Sequence, residues 1–320
     1  MKELEIWKVQ DATKIQEYMS CPRHYLFRYV LGWEPEEPNI HLVFGSAWHE
    51  AMEILLLEGY TPAAITSATD AFMKCFREEF PPEGDLIFAP KTPENALRGL
   101  IQYCQQYRED DFEVLHTEVA GSVMISETRQ LHFKTDAIIQ DEGQIFSLEH
   151  KTGRYYNSKW ADGWRQKMQV GVYTHVLYCL YDPKDVFGIR INGFFPRNAP
   201  KMKKDGTPYA NQNDSEFHRV PIRKTVSSMN DWLTMTHSYL DDLEDDFGDL
   251  LDPGVEDDEL LTCFRKNTEA CTNYSGCPFL DYCVLWPNPL KHRDAPPLGF
   301  RERHWDPRSK QETAKEVVNL

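Results

Sequence analysis

The feature that most narrows the possible folds is a change of hydrophobic period. Apolar residues recur at helical spacing through much of 12–109. Three β-favouring runs then follow closely, at 113–124, 131–139 and 144–151, with only the turn sequence Gln140-Asp141-Glu142-Gly143 between the last two. Helical spacing returns over 160–181, where Trp164, Met168, Val172 and Val176 stand four apart, and 186–195 reads as a further strand. Such alternation builds layers, so we expect an α/β fold with a central mixed β-sheet flanked by helices.

Before the sheet, 12–58 is expected to be helical, with Asp11 or Thr13 as cap and a second run over 46–57. Amphipathic helices are expected over 61–80 and 92–109, parted by Pro81-Pro82-Glu83-Gly84. After the sheet, 226–251 forms a stripe of Trp232, Met235, Tyr239, Leu243, Phe247 and Leu250 and reads as one long helix. Between them, 196–224 has seven basic residues against three acidic ones and reads as a basic loop or hairpin excursion. We expect one domain over 1–320: a helical N-terminal part (1–110), a core (111–225), and an acidic helix with a Cys-rich C-terminal segment (226–320).

With 51 acidic and 35 basic residues the chain carries a formal charge of −16, which at first sight argues against binding a polyanion. The charge is local, however. Eleven of those acids lie in 241–259, which has no Lys or Arg and reads as a solvated face, so a bipolar surface is expected, with a basic path along 197–224 and the C-terminal segment. No apolar run approaches the ~18 residues of a membrane span, and the N-terminus shows no secretory leader, so a cytoplasmic location is expected.

Strand alternation over 144–151 puts Glu149 and Lys151 on one face and His150 on the other. A hairpin would bring Asp136, thirteen residues earlier, alongside them. Two converging carboxylates need a compensating cation, and oxygen donors of this kind hold hard divalent metals, so Mg²⁺ or Mn²⁺ is expected. Such a metal polarises a phosphoryl oxygen and activates water, while the lysine orients or deprotonates that water and stabilises developing charge.

Gly45-Ser46-Ala47-Trp48-His49, the pair Gln169 and Tyr173 one helical turn apart, and Cys21-Pro22-Arg23 stand in order around these residues. Together with Asp136, Glu149-His150-Lys151 and the C-terminal cysteines, the set resembles the PD-(D/E)XK nuclease superfamily, and within it the RecB-like branch that includes CRISPR-associated and phage exonucleases. The resemblance implies a restriction-endonuclease-like core. It makes His49, Asp136 and Glu149 metal ligands, with the backbone carbonyl of His150 as a fourth, and Lys151 the catalytic lysine. Gln169 and Tyr173 would brace the site and the nucleic-acid backbone, and Glu118 matches a frequent acidic position. Phe133-Lys134-Thr135 before Asp136 departs from the commoner Gly-x-x-Asp.

Cys271, Cys277 and Cys283 are evenly spaced, with Cys21 far upstream, and four thiolates hold either zinc or an iron–sulfur cluster. The resemblance implies a structural 4Fe-4S cluster on Cys21, Cys271, Cys277 and Cys283, with structural Zn²⁺ as the alternative. Cys263 is a competing ligand, and Cys75, Cys104 and Cys179 are expected in the core. The expected activity is a metal-dependent DNA exonuclease acting at ends or on single strands. An endonuclease of the same fold and a non-catalytic DNA-binding scaffold are the alternatives. Tyr25, Arg28, Trp286, Arg301, Arg303 and Trp305 are candidates for stacking and phosphate contacts with a threaded strand, and protein partners of a recombination or repair complex are further candidates.

Overall fold

The computed structural model describes residues 8–198, 203–204, 214–273, 276–309 and 317–319. The strands are β1 (Gln10–Asp11), β2 (Trp33–Pro35), β3 (Glu113–Met124), β4 (Gln130–Asp141), β5 (Gln144–Thr152), β6 (Val186–Phe195), β7 (Glu216–Ile222), β8 (Phe300–Glu302) and β9 (Val317–Asn319). The helices are α1 (Ala12–Ser20), α2 (Pro22–Tyr25), α3 (Ile40–Glu58), α4 (Pro62–Arg77), α5 (Pro93–Gln106), α6 (Ser158–Gly163), α7 (Met168–Leu180), α8 (Val226–Leu250) and α9 (Leu280–Leu285).

The main sheet runs in the order β7-β6-β5-β4-β3-β9, and β1 also pairs with β4. β3–β4–β5 is an antiparallel meander, whereas β5 and β6 are parallel and joined by the α6–α7 crossover. The sheet is therefore mixed and flanked by helices, as the change of period predicts. Gln140 and Asp141 belong to β4, and the turn closes on Glu142 and Gly143, both at positive φ. No described helix is long and apolar enough to cross a membrane.

Two large apolar clusters lie on the sheet, besides a small third one of Ala137, Ile139, Phe146 and Leu148 on β4 and β5. One joins α1, α7 and α8 to Val119, Leu131, Ile189 and Phe264; the other joins α3, α4 and α5 to Phe194 and Phe217. The α7–α8 contact depends on a missing side chain. A Cβ at Gly171 would stand 2.1 Å from Nε1 of Trp232, whose indole N–H points to Met168 Sδ at 3.1 Å.

Several expectations are corrected. The stretch 12–58 is not continuously helical: extended Cys21 and Pro22 end α1, and the chain passes through a π-turn and β2 before α3 starts at Ile40, capped by Asn39. Gly45 to His49 thus sits inside α3. The excursion 196–224 ends in β7, antiparallel to β6; its residues 199–202 and 205–213 lie outside the described ones. The acidic face of α8 is partly structural, since Arg129 is held by Asp241 (2.6 Å) and Glu244 (2.9 Å), and Asp246 accepts from Tyr18 Oη (2.6 Å) and the Phe264 amide (2.9 Å). Cys104 is buried and Cys75 half-buried, but Cys179 is exposed near the end of α7.

Candidate active site

A cleft of about 520 Å³ opens between α1, α3, α7 and the β3–β5 meander, lined among others by His49, Glu118, Lys134, Asp136, Glu149, Lys151, Gln169 and Tyr173. Each arrives by a simple rule of geometry. Alternation carries Lys134 and Asp136 from β4 and Glu149 and Lys151 from β5 to one face, α3 lowers His49 onto it, and one turn of α7 supplies Gln169 and Tyr173.

The hairpin brings the two carboxylates together. The Asp136 amide donates to Glu149 Oε1 at 3.3 Å, and the His150 amide donates to Asp136 Oδ2 at 2.7 Å. Glu149, only 1% exposed, accepts through Oε2 from Lys151 Nζ at 3.1 Å and Gln169 Nε2 at 2.9 Å, and through Oε1 from Thr135 Oγ1 at 3.1 Å. The His49 ring bridges two ligand candidates, with Nδ1 3.2 Å from Asp136 Oδ1 and Nε2 2.6 Å from the carbonyl oxygen of His150. Gln169 also donates to Tyr173 Oη at 3.0 Å, and Tyr173 donates to the Lys134 carbonyl. All the residues read from the sequence as the catalytic set therefore meet at this cleft.

Burial and mutual repulsion set the protonation pattern. Burial, reinforced by Asp136, pushes the Glu149 carboxyl up to about 7 despite Lys151. Burial would raise Asp136 as well, but the imidazole of His49 and the ammonium of Lys151 hold it well below the carboxylate range. Burial opposes the charged forms of His49 and Lys151, yet Asp136 raises the first, and Glu149 with Asp136 raises the second. Burial keeps His150 neutral by pushing it down to about 3. The site is a pair of acids compensated by protons and one ammonium.

A hard divalent cation fits this donor set of two carboxylates, a peptide carbonyl and an imidazole nitrogen. The donors turn towards one another: among the described residues no three His, Cys, Asp or Glu side chains form a finished metal cage.

Other contacts were not read from the sequence. Glu118 lines the cleft at φ 54°, paired with Lys134 at 2.5 Å, so the lysine of Phe133-Lys134-Thr135 neutralises an acid rather than Asp136. Behind the site, His150, Asn192 and Arg219 stand in register across β5, β6 and β7. Asn192 Nδ2 lies 3.0 Å from His150 Nδ1 and 2.8 Å from Tyr103 Oη, while Arg219 binds Asp110 in bidentate fashion at 2.7 and 2.5 Å. A lone Asn in a strand carries no signal of this; only the register shows it.

Cys21, at the α1–α2 junction, accepts from the Asn267 amide at 3.4 Å, and the Cys277 amide donates to the Cys271 carbonyl at 2.9 Å. Burial, with Cys21, Cys271 and Cys283 close by, pushes the Cys277 thiol up to about 11. The four thiols therefore lie within electrostatic reach of one another, and their softness fits zinc or iron–sulfur; among the described residues they do not form a metal-holding group. Cys263 is buried in the main core, its thiol pushed up to about 11 by burial and by Asp246. Arg23 clamps the same ends together, donating to the carbonyls of Phe264 (3.0 Å) and Leu261 (3.1 Å).

The proposed strand contacts are partly corrected. Tyr25 is fully buried, and the ring of Trp286 stacks on His292. On the expected basic path, Arg197 is paired with Glu216 and Arg219 with Asp110.

The sequence profile of the PD-(D/E)XK nuclease superfamily matches residues 12–284. No curated protein sequence matches the chain. Among solved structures, the crystal structure of SSO0001 is similar at 13% identity and a TM-score of 0.29, covering 73% of this chain and 75% of that one.

Proposed function

This chain belongs to the PD-(D/E)XK nuclease superfamily, and on that footing we propose that it is a divalent-metal-dependent DNA exonuclease acting at ends or on single strands. The observation that carries the reading is the convergence of Asp136, Glu149 and Lys151 on one cleft with His49 and the His150 carbonyl beside them. Asp136, Glu149, His49 and the His150 carbonyl would hold Mg²⁺ or Mn²⁺. When bound, the ion supplies Lewis-acid polarisation of a phosphoryl oxygen and a lowered water pKa.

The chain's own residues do the rest. Lys151, kept cationic by Glu149, serves to stabilise negative charge developing on the attacked phosphate. Gln169 fixes Glu149 and Tyr173 fixes the β4 backbone next to Asp136, so both act by positioning. The four cysteines Cys21, Cys271, Cys277 and Cys283 hold a structural 4Fe-4S cluster on this reading, with zinc as the other occupant of the same thiols. Within the fold, 1–110 supplies His49, 111–225 the acids and lysine, and 226–320 three of the four thiols.

The test is to incubate the protein with end-labelled single- and double-stranded DNA and a closed circle, in Mg²⁺, Mn²⁺ or EDTA, beside Asp136→Ala. The expected result is metal-dependent loss of linear DNA that the variant lacks. Cutting of the closed circle would turn the reading to an endonuclease, and metal-independent or variant-insensitive activity would overturn it.

A further inference from the structure

The cleft poses an electrostatic problem. Its lining includes Asp11, Glu17, Glu50 and Glu118 besides the two central acids, six carboxylates against the three lysines Lys134, Lys151 and Lys167, of which Lys134 and Lys151 are already tied to carboxylates. A polyanionic strand needs cationic contacts outside it.

We propose that Arg301 and Arg303, on and just after β8, form a phosphate-binding site for a single nucleic-acid strand that runs on from the cleft. This rests on the nuclease reading and names where its substrate is held. Three guanidiniums converge on one carboxylate: Arg28 Nη2 lies 2.7 Å from Glu34 Oε1, Arg301 Nη2 2.9 Å and Arg303 Nη1 3.4 Å from Glu34 Oε2. Glu34 neutralises one of them. Arg28 is the structural partner, with its side chain 17% exposed and a second bond of 3.0 Å to the Arg303 carbonyl. That leaves two surplus charges on Arg301 and Arg303, whose side chains are 51% and 61% exposed.

Their placement suits a strand. Arg301 and Arg303 are two residues apart on an extended segment, so they share one face at a spacing of roughly 7 Å, comparable to that of successive phosphates in an extended strand. Glu302 falls on the other face, where it lies 3.2 Å from His304. Four residues beyond Arg303, Pro307 lines the cleft, so the chain itself leads from the pair to the site. A planar guanidinium fork recognises phosphate oxygens in pairs, and half-exposed forks retain free N–H groups for that purpose.

The experiment is fluorescence anisotropy of a labelled thirty-residue oligothymidylate in EDTA, across a series of salt concentrations, where no turnover occurs. The Arg301→Gln/Arg303→Gln variant, whose changes are on the surface, is compared with the unsubstituted chain and with Arg301→Lys/Arg303→Lys. Loss of two phosphate contacts should weaken binding about tenfold or more at low salt and flatten the slope of log K against log salt by about 1.4. The lysine variant should keep most of the slope. An unchanged slope in the folded glutamine variant would overturn the site, as would an unsubstituted chain that binds no strand. Since cleavage is not measured, a chain that binds in this way yet never cuts DNA would count against the nuclease reading and not against this site.

Discussion

The backbone amide of Asp136 donates to Glu149 Oε1 at 3.3 Å, so two acids occupy one buried site with one lysine between them and the cleft. The consequence is a defined pH response. Glu149, raised to about 7 by burial and Asp136, binds its proton more tightly folded than unfolded, so its contribution to stability is complete below pH 4.5 and is lost as pH rises towards 7. His49, raised by Asp136 against the effect of burial, acts in the same direction above 6.5; Asp136, lowered, acts oppositely but only below 3.8. The cation-free chain should therefore melt lower at about pH 8 than at about pH 6, and Mn²⁺ should cancel that fall. Glu149 and His49 are both mostly protonated at about pH 6, so calorimetric titration there in two buffers of different ionisation enthalpy should show between one and two protons released per ion bound. No proton release would sink the assignment of Glu149 and His49 as ligands.

A second prediction concerns Asn192, in register with His150 and 3.0 Å from its Nδ1. The imidazole is neutral and does not line the cleft; it reaches the site through its backbone carbonyl, which lies against His49, and through its ring, edge-on to that of His49 with centroids 6.1 Å apart. Asn192→Leu should weaken Mn²⁺ binding by roughly 10–100-fold, the usual effect of losing an outer partner of a ligand. Asn192→Asp, which still bonds the ring, should keep most of the affinity. Manganese titration followed by electron paramagnetic resonance reads this directly. Equal affinity in a folded Asn192→Leu chain would show that the residue serves packing alone.

Packing of α7 gives a third. Gly171→Ala would place a methyl group 2.1 Å from the Trp232 indole nitrogen and should cost about 1–3 kcal/mol. Because Gln169 and Tyr173 flank it on the same helix, catalytic rate should fall along with stability. Gly163→Ala, with nothing within 4 Å, should stay within about 0.5 kcal/mol of the parent in chemical denaturation. A Gly171→Ala chain as stable as its parent would mean that α8 yields at that contact.

What could be read from the sequence followed from period and order. Alternation placed Glu149 and Lys151 together, a short turn brought Asp136 to them, and a four-residue step joined Gln169 to Tyr173. Contacts set by register across separated strands had no such signal, which is why the line of His150, Asn192 and Arg219 escaped notice. The same holds where a polar side chain chose a partner distant in sequence, as Lys134 chose Glu118 and Arg129 chose Asp241 and Glu244. Tyr25 read as a stacking surface because aromatic residues suit both strand binding and core; its position at 0% exposure, stacked on Phe264, follows from how α2 docks, which local pattern does not encode.

The last prediction tests the clasp. A cluster or zinc held by Cys21 and the three C-terminal thiols would close a loop of about 250 residues, and loop closure gains most when the ends are far apart in sequence. Arg23 already joins the same ends through the carbonyls of Phe264 and Leu261, so the metal-free chain should keep its sheet and lose order first around α9. Cys277→Ser should therefore abolish a brown iron chromophore in anaerobically purified protein, sharply increase proteolysis within 268–285, and leave the β3–β5 meander protected from hydrogen exchange. Zinc in stoichiometric amount and a colourless protein would replace the cluster with the other soft metal. Stoichiometric absence of both metals, with proteolysis unchanged by Cys277→Ser, would remove the clasp altogether and leave Arg23 as the tie between the two ends.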